Sequence, residues 1–156
     1  MVITYSGNDS VAIKTKTETV LIGPGVTVGS FALPGAGEYD IASIQVDGVV
    51  LSSSIAYFIR TEELTTLVLD QVDPAINAAD ELSNTDILIV DVRSDDTPES
   101  VKSMVKAIEP SYLVLTGAGA TVGLITALGL PRVEGDSLKV SRTSLPLEGT
   151  TVLARA

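Results

Sequence analysis

Histidine and cysteine are both absent from this chain of 156 residues. Each absence removes a class of chemistry. Without imidazole there is no histidine general base and no Ser-His-Asp relay. Without thiol there is no cysteine nucleophile and no disulfide. Zinc sites draw on imidazole, thiolate and carboxylate, and only the last is present. Tryptophan is missing too, and aromatics are limited to four Tyr and two Phe. The core must therefore be built from Val, Ile, Leu and Ala. Basic residues are few, 10 against 20 acidic, for a formal charge of −10. That field repels phosphate backbones and argues against nucleic-acid binding. No apolar run reaches the roughly 20 residues that a membrane helix needs. The longest candidate, Tyr112 to Leu130, is broken by Gly117, Gly119, Gly123 and Gly129.

What remains is globular in character. Hydrophobic residues make up 45% of the chain, enough for a real core in a chain of this length. A single domain over residues 1–156 is the simplest organisation. The start, Met-Val-Ile-Thr-Tyr, has neither the basic opening nor the long apolar stretch of a signal peptide. A reducing cytoplasm suits a chain with no cysteine.

The first half reads as strands. Val2 to Tyr5, Val11 to Lys16 and Thr19 to Ile22 are rich in β-branched residues. Val11, Ile13 and Thr15 share one face, and Ala12, Lys14 and Lys16 the other, as in a sheet with one wet side. Gly7-Asn8-Asp9 and Gly23-Pro24-Gly25 are turns. Further strands are predicted at Phe31 to Leu33, Ala42 to Val46, Ala56 to Arg60 and Thr66 to Leu69. Asp47-Gly48 carries the dipeptide of a tight hairpin.

The second half alternates between strand and helix. Ala75 to Leu82 reads as a short helix, and Asp86 to Val92 as a buried strand. Thr97 is placed to cap a helix, with Pro98 at its first position and Glu99 in its first turn. Val101, Met104, Val105 and Ile108 give that helix its apolar stripe, and it ends near Glu109-Pro110. Tyr112 to Leu115 is the next buried strand. Thr121 to Leu128 follows as a helix stopped by Gly129 and Pro131. Ser137 to Arg142 and Thr150 to Leu153 are strand-like. Strand, helix, strand implies parallel pairing in this half.

Several of these segments, in this order, resemble the metallo-β-lactamase fold, in the branch of the ascorbate-6-phosphate lactonases and similar predicted zinc-dependent hydrolases. Met1 to Tyr5 with Val11 to Ile22 looks like the opening hairpin. Gly35-Ala36-Gly37-Glu38-Tyr39-Asp40, then Ile44 to Gly48, looks like that branch's Pro-Gly-Glu-Tyr segment. Ile55 to Ile59, Thr85 to Val92, Ile108-Glu109-Pro110 with Leu113 to Leu115, and Ser137 to Leu153 resemble its later strands. The resemblance implies an α/β fold: a reduced two-sheet sandwich with flanking helices. The alternative is a simple three-layer α/β domain, in which the N-terminal strands make only a hairpin sheet.

The chain also departs from that family. The segment carrying the His-x-His-x-Asp-His motif is missing, because Ile22-Gly23-Pro24-Gly25 runs almost directly to Phe31. Gly23 stands where the family has a strand-ending Asp. Asp70 falls near the bridging Asp, and Gly117 aligns with the last histidine. A lone carboxylate cannot hold zinc. The resemblance therefore implies a non-catalytic relative with no resident cofactor and no catalytic residue.

Three constellations remain. Asp91, Asp95, Asp96 and Glu99 lie at a strand end and a helix start. They read as support for the helix beginning near Thr97, and Asp70, Asp91 and Asp95 are candidates for a weak cation site of oxygen ligands. Gly117, Gly119 and Thr121 form a Gly-rich turn between a strand and a helix, a candidate ligand turn without Walker or Rossmann spacing. Ser52-Ser53-Ser54 has no base to activate it. Glu38 and Tyr39 read as packing for their Gly-rich turn.

The expected function is association, as a structural or regulatory module. A hydrolase with a weak carboxylate metal site and a binding module for a small polar ligand are the alternatives. Loss of an internal segment should bare sheet edges or apolar faces. The mean hydropathy of +0.38 points the same way, so a homodimer is expected.

Overall fold

The computed structural model describes residues 1–7, 9–51, 54–73 and 84–155. The first 32 residues build one antiparallel sheet. Its strands are β1 (Val2–Tyr5), β2 (Val11–Lys14), β3 (Thr19–Ile22), β4 (Val26–Val28) and β5 (Phe31–Ala32). A late strand, β12 (Ser137–Lys139), pairs with β1, giving six strands in the order β12-β1-β2-β3-β4-β5. The alternation read from the sequence holds here. Val11 and Ile13 are fully buried, and Lys14 is exposed.

The second sheet has seven strands, β13-β11-β10-β9-β8-β7-β6. Its antiparallel part is β6 (Gly37–Ile41), β7 (Ile44–Val50), β8 (Ile55–Thr61) and β9 (Leu64–Leu69). Its parallel part joins β9 to β10 (Ile87–Asp91), β11 (Tyr112–Thr116) and β13 (Thr151–Ala154). The expected parallel pairing is thus observed. These strands are buried on both faces, and a run such as Ile-Leu-Ile-Val in β10 meets that demand.

The alternate side chains of each strand serve two cores. Ile87 and Ile89 face the first sheet, among Ile3, Ile13, Val20 and Val28. Leu88 and Val90 face the helices, among Val101, Met104, Ile108 and Leu124. Those helices are α1 (Pro98–Ile108) and α2 (Val122–Leu128). The architecture is therefore an α/β two-sheet sandwich with helices flanking the second sheet. The simple three-layer alternative fails because β1 to β5 make a full sheet and not a hairpin.

Three local expectations need correction. The predicted strand at Ala42 to Val46 straddles a hairpin turn. Ala42 and Ser43 both take positive φ, 51° and 66°, and join β6 to β7 by the pair Ile41↔Ile44. Asp47-Gly48 is not a turn. Both residues lie within β7, opposite Glu38 and Gly37. Gly48 serves close approach instead. A Cβ there would stand 3.1 Å from the Gly35 carbonyl oxygen and 3.0 Å from the Tyr57 ring. Strands β4 and β6 were not anticipated. The predicted helix at Ala75 to Leu82, with Ser52 and Ser53, lies outside the described residues. Among those described, no helix is long and apolar enough to cross a membrane.

Candidate functional site

The two sheets part at one end and leave a cleft of about 410 Å³. Its floor on one side is formed by the C-terminal ends of β9, β10 and β11, which supply Asp70, Asp91 and Thr116. Ligands of α/β sheets gather at such strand ends. The other wall comes from the first sheet. The β1–β2 turn contributes Asp9, and the β3–β4 turn contributes Gly23, Pro24 and Gly25. Ser54 and Tyr57 close the rim, and Ile22, Val26, Ile55, Val68, Leu69 and Ile89 make the wall apolar.

Asp91 is the half-buried member of the carboxylate set, while Asp9 and Asp70 are exposed. Burial pushes the Asp91 carboxyl above its ordinary value of 3.8, and the charge of Asp9 adds to the rise. Asp70 and Asp96 raise it further, and Arg93 opposes them. Burial likewise raises the Tyr57 phenol, with smaller contributions from Tyr39 and Asp70. Both shifts have the same origin, which is negative charge held in a partly desolvated space.

The predicted residues divide at this cleft. Asp70 and Asp91 meet there. Asp95 does not line the cleft; it is exposed on the loop before α1. Asp9, which sequence reasoning missed as a site residue, takes the third position. It lies far away in the chain, and only the packing of sheet on sheet brings it close. Asp91 lies at the strand end facing the cleft and is not a cap of α1. Asp96 bonds its own loop, accepting from the Arg93 amide at 2.7 Å. Glu99 does lie in the first turn of α1. Ser54 is on the rim, and among the described residues no base is paired with it.

The Gly117 turn packs directly behind Asp91. A Cβ on Gly117 would stand 2.3 Å from Asp91 Oδ1, and one on Gly119 would stand 2.0 Å from the Arg93 carbonyl oxygen. Thr121 caps α2 by accepting from the Leu124 amide at 3.2 Å. The glycines therefore allow one backbone to press against another. An anion at this turn would lie beside the Asp91 carboxylate.

No protein-family model matches the chain, and no curated protein sequence matches it. A solved structure does. The fold is similar to the crystal structure, at 2.00 Å resolution, of a protein from Thermotoga maritima assigned as a Zn-dependent hydrolase of the metallo-beta-lactamase superfamily. The TM-score is 0.71 and the identity 18%, over 97% of each chain. The chain thus has the metallo-β-lactamase fold in a reduced form. The positions that the sequence resemblance singled out fall together as well. Gly23 and Asp70 line the cleft, and Gly117 abuts Asp91.

The fold implies zinc, but the residues present do not fit it. Zinc sites are built from three or four close N, S or O donors. The chain has no N or S donor of that kind. Among the described residues, no three carboxylates converge closely enough to hold a metal.

Proposed function

We propose that this chain is a non-catalytic relative of the metallo-β-lactamase-fold hydrolases and binds a small cationic ligand in the inter-sheet cleft. The observation that carries the proposal is the donor set of that cleft. Asp9, Asp70 and Asp91 surround it, and no cationic side chain lines it among the described residues. Hydrolysis would need an activated water or a base poised near neutral pH. Carboxylates in a half-enclosed space instead attract an ammonium group and repel phosphate or carboxylate substrates. Burial is the main reason Asp91 is raised, and a ligand cation would offset the further rise that Asp9, Asp70 and Asp96 cause. The apolar wall formed by Ile22, Val26, Leu69 and Ile89 suits a ligand with an apolar body. The cleft volume is that of a small-molecule site.

A thermal-shift panel tests this reading. Polyamines and amino sugars form one arm, and sugar phosphates and nucleotides the other. Stabilisation by an amine that is lost in Asp91→Asn supports the proposal, since binding to the folded state alone raises its stability. Stabilisation by phosphates only would overturn the charge argument. Turnover of a lactone or phosphodiester by zinc-loaded protein, abolished by Asp70→Asn, would overturn the non-catalytic reading.

A further inference from the structure

The second sheet ends at β6, and the register of the β6–β7 hairpin dictates what that edge presents. The Ala42–Ser43 turn makes Ile41 and Ile44 the pair that exchanges backbone hydrogen bonds. Tyr39 with Val46, and Gly37 with Gly48, then exchange bonds in the same way. Glu38 and Asp40 fall between these pairs. Their N–H and C=O groups point away from β7, toward the open side.

The remaining sheet edges offer less. The segment Pro131 to Val133 lies along β13: the Val133 amide donates to the Val152 carbonyl at 2.8 Å, and the Val152 amide to that of Pro131 at 2.8 Å. Strand β5 has two residues and β12 has three. Among the described residues, β6, with five, is the longest open edge.

Its side chains have one sign on one face and aromatic character on the other. Glu38 and Asp40 are exposed, two residues apart, on the outer face. The neighbouring Asp47 is already paired with Arg60. Tyr39 points inward and meets Phe31 of β5, with ring centroids 6.3 Å apart. Phe31 is 48% exposed on this open side of the sandwich.

This arrangement selects among possible occupants. A second copy pairing β6 with β6 would set acid against acid. Centred on Tyr39, Glu38 faces Asp40 and Asp40 faces Glu38; centred on Glu38 or on Asp40, that acid faces its own copy. Like charges directly opposite destabilise a ladder. A strand with Lys or Arg at alternate positions removes that conflict, and the chain's charge of −10 draws it in.

We propose that the β6 edge binds an extended basic segment of a partner protein, which adds as an eighth strand. Its backbone bonds the outward groups of Glu38 and Asp40. Its cationic side chains pair with their carboxylates, and the alternate apolar side chains rest on Phe31 and Tyr39. This is strand addition, in which the main chain supplies affinity and alternating side chains supply specificity.

The probe is a synthetic peptide alternating Lys and Val, with a Glu/Val peptide and a Lys/Val peptide N-methylated at alternate residues as controls. Calorimetry at low and at roughly 0.15 M salt measures binding to the full chain. The Lys/Val peptide is expected to bind, the Glu/Val peptide not to bind, and N-methylation to weaken binding at least tenfold. The double variant Glu38→Lys/Asp40→Lys should reverse the peptide preference. Asp40→Pro deletes one outward N–H but no β6–β7 bond, as edge strands tolerate, and should also cost at least tenfold. Should Asp40→Pro fail to fold, the N-methylated peptide makes the same test from the ligand's side. Equal binding of the plain and N-methylated peptides would mean charge attraction without strand addition, and would overturn the proposal. Absence of binding by the Lys/Val peptide would overturn it too. So would a dimer of the protein alone that Asp40→Pro dissociates.

Discussion

The Tyr5 hydroxyl reaches from one sheet to the other and donates to the Leu115 carbonyl oxygen at 2.6 Å, with the Leu153 carbonyl oxygen 3.1 Å away. Tyr5 ends β1 in the first sheet, and Leu115 and Leu153 lie on adjacent parallel strands of the second. A single phenol thus ties the two layers beside the cleft. Burial is the main reason its pKa is raised to about 12, with Asp136 adding to the rise and Arg155 and Arg132 opposing it. The phenol is therefore neutral across the physiological range and can donate.

Tyr5→Phe keeps the ring and removes the donor. The partly buried carbonyls lose a partner, which is expected to cost about 1–3 kcal/mol. Urea unfolding measures the loss. An unchanged midpoint would show that water replaces the hydroxyl without penalty. The raised pKa has a sign of its own. The neutral phenol supports the fold at lower pH, and that support fades as pH rises from 10 through about 12. Tyr5→Phe should lack this alkaline component.

Gly119 is the tightest backbone approach near the site. A Cβ there would meet the Arg93 carbonyl carbon at 2.4 Å and its oxygen at 2.0 Å. These atoms belong to the backbone and cannot rotate away. The Gly119 amide also donates to the Val92 carbonyl at 2.8 Å. Gly119→Ala is expected to destabilise by about 1–3 kcal/mol or more through overpacking. Gly123→Ala is the control, because its Cβ would meet only the Thr121 hydroxyl, at 3.9 Å. A melting temperature unchanged in Gly119→Ala would show that the turn can move off β10.

Helix α1 was legible because its start is chemical. Thr97, Pro98 and Glu99 each have a local reason to be where they are. The buried strands β10 and β11 were legible because both of their faces must be apolar. The β6–β7 hairpin was not. Its turn uses Ala42 and Ser43 at positive φ with no glycine, and the glycine nearby, Gly48, answers to a neighbouring backbone instead. The candidate site was half legible. Asp70 and Asp91 stand at strand ends, which a sequence can suggest. Asp9 joins them only through sheet packing, which no local pattern records. Asp95 shares the composition of the site but not its location.

Thr97 anchors α1 through a reciprocal pair. Its hydroxyl accepts from the Ser100 amide at 3.2 Å, and the Ser100 hydroxyl accepts from the Thr97 amide at 3.2 Å. Serine thus does the work that Glu or Gln usually does in a capping box. Thr97→Ala should cost about 0.5–2 kcal/mol, and Ser100→Ala should cost less. Thermal unfolding compares the two. If Ser100→Ala proved the more damaging, the stabilising bond would be the one from the Thr97 amide.

Asp91 gives the cleft a pH signature whose sign is fixed. Its folded pKa lies above the ordinary 3.8, chiefly because of burial and then because of Asp9, with Asp70 and Asp96 adding and Arg93 opposing. A group raised in the fold favours folding while protonated, and that contribution is lost as pH rises through the folded value. Asp91→Asn keeps the shape and removes the charge. At pH 7 the variant should therefore melt at a higher temperature than the parent. The gap should close as pH falls toward 3.8, where the parent carboxyl becomes neutral as well. Because the same charges would hold a cationic ligand, a stabilised Asp91→Asn should bind amines more weakly, trading affinity for stability. A variant less stable than the parent at every pH would mean that the Asp91 carboxylate is held by favourable contacts. Burial and the charge of Asp9 would then not be what governs that carboxylate in the fold.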